Sequence, residues 1–255
     1  MRADVYLFEN GYAESRQNAK NQILSGTVTI DGVLVRKPSF EVDADQEHSV
    51  AVTADLCPYV SRGGLKLAGA MDFFGLSASG AYALDIGAST GGFTDCLLQH
   101  GAAHVWAVDS GSAQLHRKLR NEPRVTVMEN TNARYLSSSD FERKFDWIVM
   151  DVSFISQTLI FPSVSDLLAD NGICVTLIKP QFEVGRENVG KNGIVRGERL
   201  YRLAINKVIH AAEQVGLICV GLMLSPIQGG DGNTEFLAQF SRNGFPCSPD
   251  TLFER

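Results

Sequence analysis

Asp85, Gly87, Ser89, Thr90, Gly91, Gly92 and Phe93 form one short run between an apolar stretch at 81–84 and a helical pattern at 93–100. That is the order strand, glycine-rich turn, helix. Such a turn lets backbone N–H groups come close to a ligand, because glycine puts no side chain in the way. The spacing is Gly-x-x-x-Gly-Gly. It is neither the Gly-x-Gly-x-x-Gly of a dinucleotide site nor a triphosphate loop ending in Gly-Lys-Ser/Thr. An acid before the first glycine (Asp85) and a second one βαβ step later (Asp109) make the pattern of an S-adenosylmethionine (SAM) pocket, in which the second acid accepts hydrogen bonds from ribose hydroxyls. Asn132, after the next strand, either faces an adenine ring or caps a helix. Taken alone, the run also fits an ordinary strand-to-helix turn.

Four more residues have the types needed for proton transfer: Lys66, Asp151, Lys179 and Glu235. Each by itself reads as a surface charge. Their places change that reading. Asp151 ends the apolar run 145–150, and Lys179 ends 172–178. A lysine there costs desolvation unless it is paired or opens into a cleft. Asp85, Asp109, Asp151 and Lys179 all fall at carboxyl ends of expected strands, where open α/β sheets bind ligands.

The elements that position these residues alternate. Strands are expected near 81–86, 104–109, 125–129, 145–151, 172–178, 217–225 and 234–241, with helices near 65–74, 93–100, 113–121, 156–169 and 196–215. This alternation implies a parallel sheet covered on both faces. Only a loop, 226–233, separates the last two strands, which allows an antiparallel final strand. The front of the chain reads as its own unit. A helix is expected over Glu14 to Ser25, with Ala19, Ile23 and Leu24 on its apolar side, stopped by Gly26. Asp31-Gly32 between 27–30 and 33–35 signals a hairpin. A further strand is expected over Ser49 to Thr53, and Pro58 marks the end of the unit. The division is 1–56, a linker at 57–64, a main domain at 65–244 and a tail at 245–255. The segment 181–199, with Arg186, Lys191, Arg196, Arg199 and several glycines, reads either as a mobile lid or as a solvated loop.

With 255 residues, 44% of them hydrophobic, the chain suits an α/β domain plus a small appendage and is not generally disordered. Its net charge of −6 gives no overall basic footprint. Five scattered cysteines without Cys-x-x-Cys read as buried reduced thiols. His100 and His104 are separated by a helix end at Gly101, so no metal site is expected. No apolar run is long enough to span a bilayer and no signal-peptide core is present, so a cytoplasmic protein is expected.

From Tyr59 onward the chain resembles the FtsJ-like ribose 2′-O-methyltransferases, whose catalytic set is Lys-Asp-Lys-Glu. The resemblance rests on Ser61-Arg62-Gly63-Gly64-Leu65-Lys66-Leu67, on the run from Asp85 to Thr94, on Ile178-Lys179-Pro180-Gln181-Phe182-Glu183 and on Gly232-Asn233-Thr234-Glu235. The front segment, from Glu14 to Gly32, resembles the small RNA-binding domain first seen in ribosomal small-subunit protein four. The combination resembles the TlyA family, labelled hemolysins and also known as rRNA 2′-O-methyltransferases. It implies a Rossmann-like SAM-dependent methyltransferase sheet with a small N-terminal α+β RNA-binding domain, SAM as cofactor, and ribosomal RNA or ribosomal subunits as partner. It makes Lys179 the base for the ribose hydroxyl. Lys66 would ease its deprotonation by like-charge repulsion, and Asp151 and Glu235 would orient the two lysines. Through Leu56 the chain has five basic and nine acidic residues, a net charge of −4, so RNA would need a local positive face. Arg16 and Lys20, four apart on one helix face, are the first candidates. Arg36, Lys37 and Arg62 extend the RNA-contact set. The rival readings are a membrane-active hemolysin, a SAM enzyme acting on a small molecule, and an RNA-binding protein with a vestigial SAM fold.

Overall fold

Short apolar alternations separated by turn residues organise the front of the chain, and longer buried strands organise the rest. A computed structural model describes residues 1–13, 15–44, 46–52, 57–229 and 232–253, without the side chains of Asn21, Leu24 and Ser25. It divides the chain into two units, Met1–Pro58 and Tyr59–Arg255. Glu14, Thr53 and Leu56, which carry expected element or domain borders, lie outside the described residues, as do the Leu24 side chain and the final two residues of the expected tail.

The first unit has helices α1 (Ala3–Glu9) and α2 (Arg16–Ser25) and strands β1 (Val28–Ile30), β2 (Val33–Leu34) and β3 (Val50–Val52), in sheet order β2-β1-β3. Ser15 caps α2 by accepting the Asn18 N–H at 3.0 Å, and Gly26 ends it at φ 75°. Asp31 and Gly32 both have positive φ, as a two-residue hairpin turn requires. Ala19 and Ile23 are fully buried with Leu7, Val28 and Val35. Helix α1 has no sequence start signal and no side-chain cap. It is held by burial of Ala3, Tyr6 and Leu7 and by the wholly buried Asp4, which pairs with Arg2 and Arg16.

The second unit runs α3 (Gly63–Phe74), β4 (Tyr82–Ile86), α4 (Gly92–Gln99), β5 (His104–Val108), α5 (Arg117–Arg120), β6 (Val125–Met128), β7 (Phe145–Met150), α6 (Phe161–Leu167), β8 (Leu168–Ile178), α7 (Pro180–Glu183), α8 (Glu198–Glu213), β9 (Ile218–Leu224) and β10 (Phe236–Ser241). Its sheet order is β6-β5-β4-β7-β8-β10-β9, parallel except for β10, which is antiparallel to both neighbours. Strand faces alternate. Ala83, Val149 and Val175 pack with Leu67, Phe93 and Leu97 of α3 and α4. Leu84, Ile148 and Ile178 pack with Phe161 of α6 and Ile205 and Val208 of α8.

Two expected helices are shorter than their patterns. Ala113 takes a positive φ, so the 113–121 pattern becomes helical only at α5. In 156–169, a 3₁₀ turn at Gln157–Leu159 precedes α6, and the chain enters β8 at Leu168. The described part of the tail packs on the second unit: Cys247 N–H bonds Cys219 O at 2.7 Å, and Arg202 lies 4.4 Å over the Phe253 ring. Three of the five free cysteines are buried, their thiols pushed up to about 12 by burial, while Cys57 and Cys247 are half-buried. No helix among the described residues is long and apolar enough to cross a membrane.

Candidate active site

The turn after β4 is shaped by close approach. Gly87 has φ 84°, and a Cβ there would lie 2.6 Å from the backbone O of Asp151. At Gly92 a Cβ would lie 2.3 Å from Ser61 Oγ and 2.9 Å from Gly64 N, so the start of α4 can abut the start of α3 only as glycine. Part of the turn's backbone is taken up within the protein. The N–H groups of Gly87 and Ala88 both bond Val108 O, at 2.8 and 3.0 Å, and Ser89 N–H bonds Asp109 Oδ2 at 2.8 Å. These amides tie the turn to β5. The Gly87 N–H is used in this way, and Gly87 and Gly92 give clearance to the neighbouring backbone.

Beside this turn, Gly87, Ser89, Asp109, Gln114, Asn132 and Asp151 contribute to the lining of a cavity of about 560 Å³. Asp109 is half-buried, and its other oxygen takes the Gly111 N–H at 2.7 Å. Each carboxylate oxygen keeps a lone pair for a hydroxyl on the cavity side. Asn132 Oδ1 caps the 3₁₀ turn Ala133–Tyr135 by accepting Arg134 N–H at 3.1 Å, and the residue also lines the cavity.

Asp85 is placed differently from the sequence reading. It lies on the strand face under α4, fully buried, lines none of the cavities described here, and accepts Thr94 Oγ1 at 2.6 Å. Its Oδ1 is buried without a partner. Burial raises its carboxyl to about 7, with the Thr94 hydrogen bond opposing and the Asp151 charge adding. Gly91, at φ 97°, also faces inward: its Cβ would strike Leu119. Thr90, Gly92, Phe93 and Arg62 line a smaller adjoining cavity with Lys66 and Asp151.

The four proton-transfer candidates come from α3, β7, β8 and the approach to β10, and they meet as two ion pairs. Lys66 Nζ lies 2.5 Å from Glu235 Oε2, both side chains nearly buried. Lys179 Nζ lies 2.6 Å from Asp151 Oδ1 and donates to Ser153 Oγ at 2.8 Å. Lys66, Lys179 and Glu235 line one cavity. Each lysine therefore meets the other as half of a neutral pair, which mutes the repulsion expected from two bare ammonium groups.

Several lining residues had no clear sequence signal. Ser153 and Phe154 border both the larger cavity and the lysine cavity. Phe154 is 93% exposed at φ 64° and 5.4 Å from the Phe182 ring. A non-glycine residue held there costs about 1–3 kcal/mol, which marks the loop as constrained by its surroundings. Part of the segment 181–199 is tied to the approach to β10. The side chain of Asn233, 1% exposed, accepts Val195 N–H at 3.0 Å and donates to Gly193 O at 3.0 Å. Arg186, Lys191, Arg196 and Arg199 stay exposed on it.

In the first unit, Arg16 Nε is 3.0 Å from Asp4 Oδ2, so part of its charge is already matched. Lys20 is half-buried on α2, and Arg36 and Lys37 are exposed after β2.

A parallel sheet with an antiparallel β10 and a glycine turn after β4 is a methyltransferase fold, and the family match gives the class. The chain belongs to the FtsJ-like methyltransferase family, which matches residues 59–242, and residues 1–48 match the S4 domain. It is 42% identical over 235 residues to the 16S/23S rRNA (cytidine-2′-O)-methyltransferase TlyA of Mycobacterium tuberculosis, covering 92% of this chain and 87% of that one. It is 44% identical over 242 residues to hemolysin A of Brachyspira hyodysenteriae, covering 94% and 99%. A solved structure from Streptococcus thermophilus, labelled a hemolysin, superposes with a TM-score of 0.76 at 43% identity, covering 96% and 90%. The fold and the family imply SAM as methyl donor.

Proposed function

We propose that this protein is a SAM-dependent ribose 2′-O-methyltransferase acting on ribosomal RNA. The observation that carries this reading is the pairing of Lys66 with Glu235 and of Lys179 with Asp151 at the strand carboxyl ends, beside the cavity that contains Asp109. The similarity to TlyA, named for rRNA (cytidine-2′-O) methylation, supports the choice of acceptor.

The residues present fit SAM. The cavity is of nucleoside size, is bordered by an acid suited to ribose hydroxyls, and opens at Asp151 and Ser153 toward the lysines. When bound, SAM supplies a methyl group made electrophilic by its sulfonium charge. The protein's task is to ready the 2′-oxygen. Lys179, acting as the neutral amine after its ammonium proton has passed to solvent, takes the proton of the 2′-hydroxyl on Nζ. Asp151 and Ser153 accept hydrogen bonds from Nζ and so hold its lone pair in one direction. Lys66, fixed by Glu235, places a positive charge where the oxygen gains negative charge. Alignment of the two reactants accounts for much of the remaining barrier. Phe154 offers an exposed aromatic face of the kind on which RNA bases stack. Arg62, with Arg16, Lys20, Arg36 and Lys37, supplies positive charge for phosphates.

The test is transfer from labelled SAM to ribosomal subunits and to naked rRNA, with the methylated nucleoside identified by mass spectrometry. Ribose methylation is expected. SAM binding without label on any ribosomal particle or rRNA would sink the reading. Lys179→Ala should abolish transfer and leave SAM binding intact. Loss of both would place Lys179 in the cofactor site.

A further inference from the structure

We propose that Glu183 is a positioning residue, which clamps the two chain segments that present Asp151 and Lys179 to each other. The inference rests on the proposed role of that pair in methyl transfer. Glu183 ends α7 and is only 3% exposed. Its Oε2 accepts Ser156 Oγ at 2.5 Å, and its Oε1 accepts the Gln157 N–H at 2.9 Å. Lys207 of α8 reaches the same residue, 3.4 Å from Oε2, and donates to the backbone O at 2.8 Å. Burial pushes the Glu183 carboxyl above its ordinary range, against the Ser156, Gln157 and Lys207 contacts that favour the charged form.

Gln157, 2% exposed, closes the clamp on its other side. Its Nε2 donates to Leu177 O at 3.0 Å, and its Oε1 accepts Thr176 Oγ1 at 2.6 Å. Lys179 therefore sits on a short stretch, Leu177 to Glu183, that is fastened at both ends to one residue, Gln157. Asp151 sits on the stretch that leads into Gln157, and the far end of that stretch is held by the pairing of Met150 with Thr176 between β7 and β8. The enclosed loop borders two cavities: Val152 to Ile155 line the larger one, and Ser153 and Phe154 also line the lysine cavity. A buried carboxylate is costly to assemble, and removing it leaves the buried Gln157 N–H without its acceptor, while Lys207 keeps the backbone O. Its effect here is to fix where Asp151, Ser153 and Phe154 stand relative to Lys179.

The test uses the full chain with Glu183→Ala and Glu183→Gln, steady-state methyl transfer to rRNA, and amide hydrogen exchange over 152–157. A reacting group displaced by ~1 Å loses on the order of 100-fold in rate. Glu183→Ala should lower kcat by that order with KM for RNA unchanged, and should speed exchange in the loop. Glu183→Gln keeps an acceptor for Gln157 N–H and a donor to Ser156 Oγ, so it should restore most of kcat and the slow exchange. Parent-like kcat in Glu183→Ala, or a Gln variant as slow as the Ala variant, would overturn the proposal. Should Glu183→Ala not fold, Ser156→Ala removes one clamp bond and must show a smaller loss confined to kcat; unchanged kcat there overturns it as well. If the parent chain methylates no RNA, the functional reading fails. The clamp is then judged by exchange alone, where unaltered protection of 152–157 in Glu183→Ala refutes it.

Discussion

Asp85→Asn is expected to make the protein more stable at neutral pH and to remove part of its pH dependence. The Asp85 carboxyl lies fully buried with one oxygen unpartnered, and burial raises it from 3.8 to about 7. In the unfolded chain the group is ionised above pH 4, while in the folded chain it keeps its proton until near 7. Between those values the native state holds one more proton than the unfolded state, so this group's contribution is fully present below 3.8 and is lost as pH rises through about 7. The slope is about 1.4 kcal/mol per pH unit, which gives about 4 kcal/mol across the window. Asparagine is neutral, matches the shape, and can still accept the Thr94 hydroxyl. The stability difference between Asp85→Asn and the parent should therefore be small at pH 4 and grow to about 4 kcal/mol by pH 7.5. Urea unfolding at several pH values would measure it, followed by fluorescence of Trp106 and Trp147, the only tryptophans and both on strands of the second unit. Shared contributions from other titrating groups cancel in the difference. A stability difference constant from pH 4.5 to 7.5 would refute the reasoning, because it would mean that Asp85 titrates alike in both states.

Two further perturbations test packing and charge elsewhere. Gly92→Ala puts a methyl 2.3 Å from Ser61 Oγ and 2.9 Å from Gly64 N. It should cost about 1–3 kcal/mol in urea unfolding, and Ser61→Gly in the same chain should recover only part, since the backbone contact remains. In the first unit, Asp31 Oδ2 lies 2.6 Å from His48 Nδ1, and the Asp43 carbonyl lies 2.7 Å from Nε2. The Asp31 hydrogen bond, with the Asp43 carbonyl adding, raises the imidazole above 6.5. The stabilisation from this pair is full below 6.5 and fades as pH rises through the raised value. An NMR titration should place His48 above 6.5 and return it toward that value in Asp31→Asn. A parent midpoint below 6.5 would contradict the assignment.

Most of the second unit was legible because its strands are continuous apolar runs closed by charged residues. Buried parallel strands require such runs, and a ligand site at their ends requires the charges. All seven strands, the antiparallel last one and the hairpin at Asp31-Gly32 follow from local pattern. Helix α1 did not show, because a seven-residue helix without a cap has no signal beyond the packing that stabilises it. The shortened helices at 113–121 and 156–169 have a similar cause. Periodicity cannot reveal that Ala113 turns left-handed, or that the Gln157 side chain is taken up by β8.

The sequence by itself determined the types of group at each strand end: Asp85, Asp109, Asp151, Lys179, and Glu235 at the approach to the last strand. Only the tertiary structure decided what each of them faces. Asp85 and Asp109 both lie at strand ends, yet one is sealed under α4 and the other borders a cavity, because neighbouring helices cover one strand face and not the other end. Which carboxylate pairs with which lysine was equally undetermined along the chain. Lys66 and Glu235 are 169 residues apart and meet only because β10 inserts between β8 and β9. Pairing of that kind depends on distance in space, and one-dimensional spacing holds no record of it.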